Sequence, residues 1–268
     1  MRARYRTWLW LLLVGLAPQA GCVTLTDATV SFQAGPKTPD GSTSTPTLPD
    51  DEAERVCLKV AAEMGRNGHP REAIDELERA RARDPKLDVT HRLALLYEQA
   101  GDYARALAEY NKELAARHAE ATAWSRQLFG WITVSTAALK QSEANLYNDI
   151  GYCLYRKGDW AESAKYLRQA LEADPRHATA WNNLGFTLAE LGHPEESLDA
   201  FRHAVSQSDA YCNLAFVQAK HGKLAEAGEN YRKALELDPQ NQKARTAVIE
   251  LNKVAQRMAG KPAPAPAQ

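Results

Sequence analysis

From Glu54 onward, aliphatic and small residues recur at spacings of three and four, the period of helices that bury one face. The pattern resets along the chain, so it marks a repeat rather than one long helix. Aligned on Gly68, Gly101, Gly158, Gly192 and Gly222, the residue eight places earlier is Val60, Leu93, Ile150, Leu184 or Leu214, always a branched aliphatic. Seven places earlier stand Ala61, Ala94, Gly151, Gly185 and Ala215, all small. Five places later stand Ala73, Ala106, Ser163, Ser197 and Ala227, small again. Twelve places later come Ala80, Glu113, Ala170, Ala204 and Ala234, and seventeen later Pro85, His118, Pro175, Asp209 and Pro239.

Each column has a mechanical reading. The glycine ends a helix in the left-handed conformation that a Cβ disfavours. Small residues let two helices approach closely. The proline stops the second helix. The unit is therefore a helical hairpin of roughly 34 residues. With first positions at 54, 87, 144, 178 and 208, two intervals break step. The last is four residues short, and Asp209 stands in the proline column, so the fourth hairpin is expected to have a shorter second helix and a tighter turn. The second interval is 23 residues long by excess, starting where Glu113 and His118 break their columns. The extra stretch, 118–140, carries Trp124, Leu128, Phe129, Trp131, Ile132 and Leu139, with 124, 128, 131 and 139 on one helical face. Two readings stand: extra or extended helix packing these rings against the repeats, or an exposed apolar wedge built on Trp124, Phe129 and Trp131 for a partner or for self-association.

These columns resemble the tetratricopeptide repeat. The fit is best at Trp181-Asn182-Asn183-Leu184-Gly185 with Gly192, Phe201 and Ala204 after it. The resemblance covers 54–241 and implies an all-α, right-handed superhelical solenoid of about five hairpins, with 242–258 as the capping helix. It also implies that the first helix of each hairpin lines a concave face. Carried onto this chain, that face offers Asn148, Tyr152 and Tyr155 in the third repeat, Asn182, Asn183 and Phe186 in the fourth, and Asn213 and Phe216 in the fifth. Asn183 and Asn213 match the asparagine ladder with which some members hold extended peptides, and Asp149 departs from it. An amide donates and accepts, as a peptide backbone does, and rings beside it offer apolar area. The competing reading is that these asparagines cap helices or bind water. The carboxylate clamp of the chaperone-type members is not matched, since Leu58 and Ala62 stand where Lys and Asn are needed.

Upstream of the repeats the composition changes twice. Arg2, Arg4 and Arg6 precede an apolar run at 8–17 and then Pro18-Gln19-Ala20-Gly21-Cys22, so 1–21 reads as a secretory signal. Small residues before a cysteine resemble the bacterial lipobox, with Gln19 where that motif usually has Leu. The expectation is a lipid on Cys22, which implies a cell-envelope location with the outer membrane favoured; plain secretion is the alternative. Residues 22–53, rich in Thr, Ser, Pro, Gly and Asp, read as a disordered tether. The tail 259–268, ending in KPAPAPAQ, reads as disordered and polyproline-like.

Composition narrows the chemistry. A net charge of −1, or −4 without the three leader arginines, excludes a broad basic face for nucleic acid. The phosphate-loop, GxGxxG, GxSxG and HExxH motifs are absent, and the seven histidines form no ligand pair at zinc spacing. Cys57, Cys153 and Cys212 sit in the first helices of three repeats and read as buried free thiols. The expectation is a non-catalytic scaffold with no metal, cofactor or small-molecule substrate. Its partner is a protein or peptide held in the groove, or an envelope assembly engaged through 118–140.

Overall fold

The computed structural model describes residues 50–127 and 136–259. Among them are eleven α-helices and no strand. Two compact units divide after Val56. Of the first, only residues 50–56, the opening of α1 (Asp50–Arg66), are described. The second holds the repeats. Its hairpins are α1 with α2 (Pro70–Arg83), α3 (Thr90–Gln99) with α4 (Tyr103–Gln127), α5 (Thr136–Lys157) with α6 (Trp160–Ala173), α7 (Ala178–Glu190) with α8 (Pro194–Ala204), and α9 (Gln207–Lys220) with α10 (Leu224–Leu237). The helix α11 (Gln242–Ala259) packs on α10 at the end of the row. From α2 onward each helix packs on its chain neighbour, which makes the unit a solenoid.

The turns repeat one chemistry. All five aligned glycines have φ between +77° and +92°, and among the described residues no other residue does. The amide after each glycine reaches back to a carbonyl five residues earlier, as in His193 to Leu188 and Asp159 to Leu154, both at 2.9 Å. That bond closes the helix end. At the far end of α2, α6 and α10 the chain leaves through Asp84, Asp174 and Asp238, each extended and each followed by proline. Each aspartate accepts the amide two residues on, at 2.9–3.0 Å. Proline forces its predecessor out of the helical region, and the aspartate satisfies the next amide.

The two irregular hairpins lack this Asp-Pro turn. α8 has 11 residues where α2, α6 and α10 have 14, and Ser206 caps α9 by accepting the Asp209 amide at 3.1 Å. The shorter fourth hairpin is therefore as expected. α4 has no stop at His118 and runs 25 residues to Gln127, while α5 starts at Thr136, eight residues ahead of its repeat frame. The insertion thus lengthens the two flanking helices. Trp124 lies within α4; Phe129 and Trp131 fall outside the described residues, as do Cys22 and both terminal segments.

The small-residue columns are where the helices touch. Ala73, Ala106, Ser163, Ser197 and Ala227 are fully buried. A Cβ on Gly185 would stand 2.5 Å from the Phe201 ring, and one on Gly151 2.7 Å from Leu167. The serines opposite turn this approach into a bond: Ser163 Oγ donates to the Gly151 carbonyl at 2.7 Å and Ser197 Oγ to that of Gly185 at 2.8 Å. A serine within a helix can compete with its own backbone; here, in the first turn of α6 and α8, it bonds across the hairpin instead.

Candidate functional site

The first helices of the last three hairpins, α5, α7 and α9, also pack side by side. Equal positions in each therefore stand in a row. Asn183 Nδ2 donates to Asn148 Oδ1 at 3.0 Å, and Asn213 Nδ2 donates to Asn182 Oδ1 at 3.1 Å. The same bond is thus made twice, from the sixth position of one repeat to the fifth of the repeat before. Asn148 is buried and spends a donor on Asp149 as well, at 3.3 Å. Asn182, Asn183 and Asn213 are half-buried, and each carries two donor hydrogens and two acceptor lone pairs, more than one ladder bond uses.

Rings follow one turn further along the same helices. Tyr152 and Tyr155 have centroids 6.4 Å apart, and Tyr155 lies 6.5 Å from Phe186. Phe186 in turn stands edge-on to the buried Phe201 at 4.9 Å. Phe216 is 39% exposed and, among the described residues, pairs with no ring. The Arg156 guanidinium lies 5.8 Å from both the Tyr103 and Tyr152 rings. Beneath the rings, the Glu190 side chain is only 1% exposed and receives His221 Nε2 at 2.7 Å, the Lys220 ammonium, and the Tyr155 hydroxyl at 3.4 Å. Burial pushes the Glu190 carboxyl up, but Lys220 and His221 together hold it below its ordinary value. Burial, reinforced by Glu190, pushes the Tyr155 hydroxyl up to about 12, which keeps it a neutral donor.

At the amino-terminal end of this row lies an open, solvent-facing cavity of about 590 Å³. Its lining includes His91 of α3, Glu113 and Arg117 of α4, Asp149 of α5 and His177, the residue that caps α7. Glu113 accepts from His91 Nδ1 at 2.9 Å and from Arg117, whose guanidinium also reaches the Ser142 carbonyl at 3.0 Å. His177 Nε2 meets Asn145 Oδ1 at 2.9 Å. Asp149 has no such cation. Burial pushes its carboxyl up, and His91, Asn148 and His177 offset this only in part. The sequence singles out Asp149 as the break in the asparagine ladder but does not bring His91, Glu113, Arg117 or His177 to it. The available signal was Glu113 itself, a carboxylate in an otherwise small-residue column.

The remaining candidates are quieter. Cys153 and Cys212 are buried free thiols, pushed up by burial to about 12 and about 11. Cys57 is also free but half-buried, and its thiol donates to Glu76 at 3.4 Å. Among the described residues no group of three His, Cys, Asp or Glu is placed to hold a metal ion.

Models of the tetratricopeptide repeat match residues 65–122, 142–209 and 208–241. The peroxisomal targeting signal receptor of Kluyveromyces lactis is 22% identical over 220 residues, 75% of this chain and 39% of that protein. The human protein O-mannosyl-transferase TMTC3 is 27% identical over 128 residues, 40% of this chain and 14% of that protein. The chain spans between 14% and 39% of the length of the curated relatives it matches most strongly. A tetratricopeptide repeat protein of Parabacteroides merdae shares the fold, with a TM-score of 0.52 at 13% identity, covering 78% of this chain and 77% of that one.

Proposed function

Since the chain belongs to the tetratricopeptide repeat family, we propose that it is a non-catalytic scaffold that holds an extended polypeptide segment on the face formed by α5, α7 and α9. The observation that carries this reading is the twice-made asparagine bond beside the Tyr152, Tyr155 and Phe186 rings. An extended peptide presents donors and acceptors on two edges and side chains on alternate faces. Preorganised amides meet the first need, and rings meet the second. A relative named as the receptor of a targeting signal supports the same use of this fold. The transferase relative is matched over 14% of its length, and this sequence lacks the phosphate-loop and dinucleotide motifs.

Location is part of the proposal. The leader and Cys22 favour a lipid-anchored envelope protein, outer membrane first, with secretion as the alternative if Cys22 stays unmodified.

A second reading is assembly through 118–140, favoured by the way α4 and α5 both run beyond their repeat frame. One capture experiment separates the two. The full chain is used as bait on envelope extract beside two variants. One carries Asn183→Ala, Asn213→Ala and Phe216→Ala; the other carries Trp131→Ala. Phe216 is chosen over Phe186 as the target ring because Phe186 packs on the buried Phe201. With helicity unchanged, a partner lost only in the triple variant supports the groove. A partner lost only on Trp131→Ala sinks the groove reading in favour of the insert.

A further inference from the structure

The cavity beside Asn148 holds one carboxylate, Asp149, that makes no ion pair among the described residues. Arg117 is taken by Glu113, which also takes His91. His177 is spent on Asn145 and on the Ala180 amide. Asp149 remains, half-buried, with the Asn148 amide at 3.3 Å as its hydrogen-bond donor. Two other enclosed carboxylates of the same solenoid are given cations, Glu190 with Lys220 and His221 and Glu109 with Arg81 and Lys112, while buried Glu98 lies outside the cavity lining and is met by the Tyr110 hydroxyl. A half-buried carboxylate without an ion pair is costly, and a cation of fitting size relieves it.

The shape and lining narrow the occupant. A volume of about 590 Å³ exceeds what one water or a bare ion fills. A metal is disfavoured because no three His, Cys, Asp or Glu among the described residues converge. An anion would meet Asp149 and find Arg117 already engaged. The long side chain of a lysine or arginine fits: an aliphatic stem ending in donors. The cavity is also continuous with the peptide face. Asn148 belongs to both, and Tyr152 lies three residues after Asp149, about 4.5 Å further along the helix.

The geometry points to this cavity as a specificity pocket for a basic side chain of the bound polypeptide, with Asp149 as its counter-charge and the Tyr152–Tyr155 rings receiving an apolar residue next to it. This rests on the peptide-groove reading and names the chemistry of its ligand. Asp149 accepts from the ammonium or guanidinium; Glu113 and His177 line the same cavity.

The test is an array of random ten-residue peptides probed with the full chain. The expected result is enrichment of Lys or Arg at a fixed spacing from an apolar residue. Asp149→Asn should abolish the basic preference and keep the apolar one. Enrichment that survives Asp149→Asn, or peptides selected without a basic residue, overturns the pocket and leaves the groove standing. Failure to select any peptide above the triple groove variant overturns both. A ligand-side control needs no variant protein: replacing the selected basic residue by norleucine should weaken binding to wild type about tenfold or more, as for a lost charge-assisted bond. Unchanged affinity overturns the pocket.

Discussion

Asp149 and Glu190 show how the molecule treats charge residue by residue. Both are carboxylates on first helices. Glu190 is enclosed with cations and held below its ordinary pKa, whereas Asp149 is enclosed without one and pushed above it. The sign of the stability effect follows. A folded pKa raised above the unfolded value near 3.9 means the folded state holds the proton more tightly. Any stabilisation from that proton is full below the unfolded pKa and lost as pH rises through the folded one. At neutral pH the Asp149 carboxylate is thus a net cost, facing Glu113, His91 and His177. Asp149→Asn should therefore stabilise the chain at pH 7 by about 0.5–2 kcal/mol. In urea unfolding the gain should shrink as pH falls and be absent near pH 3.5. A variant less stable than wild type at pH 7 would show that the protein itself satisfies this carboxylate. The chain alone revealed that Asp149 breaks the asparagine column. That its neighbours would be spent on each other depends on Glu113, Arg117 and His177, which lie 36, 32 and 28 residues away in sequence.

At the level of helices, two glycine columns have opposite reasons for being small. Gly158 needs its residue type for the backbone: φ is +92°, and a Cβ there would meet nothing within 4 Å. Gly185 needs it for space: its Cβ would press on the buried Phe201. Gly158→Ala should cost about 1–2 kcal/mol, the strain of one left-handed residue. Gly185→Ala should reach about 3 kcal/mol, since overpacking adds to a disturbed Ser197 bond. Urea midpoints of the two variants decide it. Equal midpoints would mean that Phe201 moves aside at little cost. Helix boundaries were legible wherever glycine or Asp-Pro set them, because those signals are local. The end of α4 was not legible. Without a stop at His118 the helical pattern simply continues, and sequence does not say whether α4 lengthens or a separate helix begins.

Across the whole molecule, the row of hairpins and the amino-terminal leader make separable demands. Folding needs only neighbour-to-neighbour packing; the proposed anchor needs only Cys22 and its flanks. Expressed whole in a bacterial host, the chain should partition into the detergent phase with the added mass of a diacylglycerol. Cys22→Ser should return it to the aqueous phase. A wild-type protein that is cleaved but unmodified would establish secretion instead. The repeat, its five left-handed turns and its short fourth hairpin were determined by the sequence alone, because each depends on residues within one or two helical turns of one another. The tertiary structure alone decided the rest. It joined Asn183 to Asn148 and Asn213 to Asn182, and it turned a break in a small-residue column into a cavity wall. It also left Asp149 without a cation. Those outcomes depend on which side chains from different repeats meet, and packing, not local spacing, sets those distances.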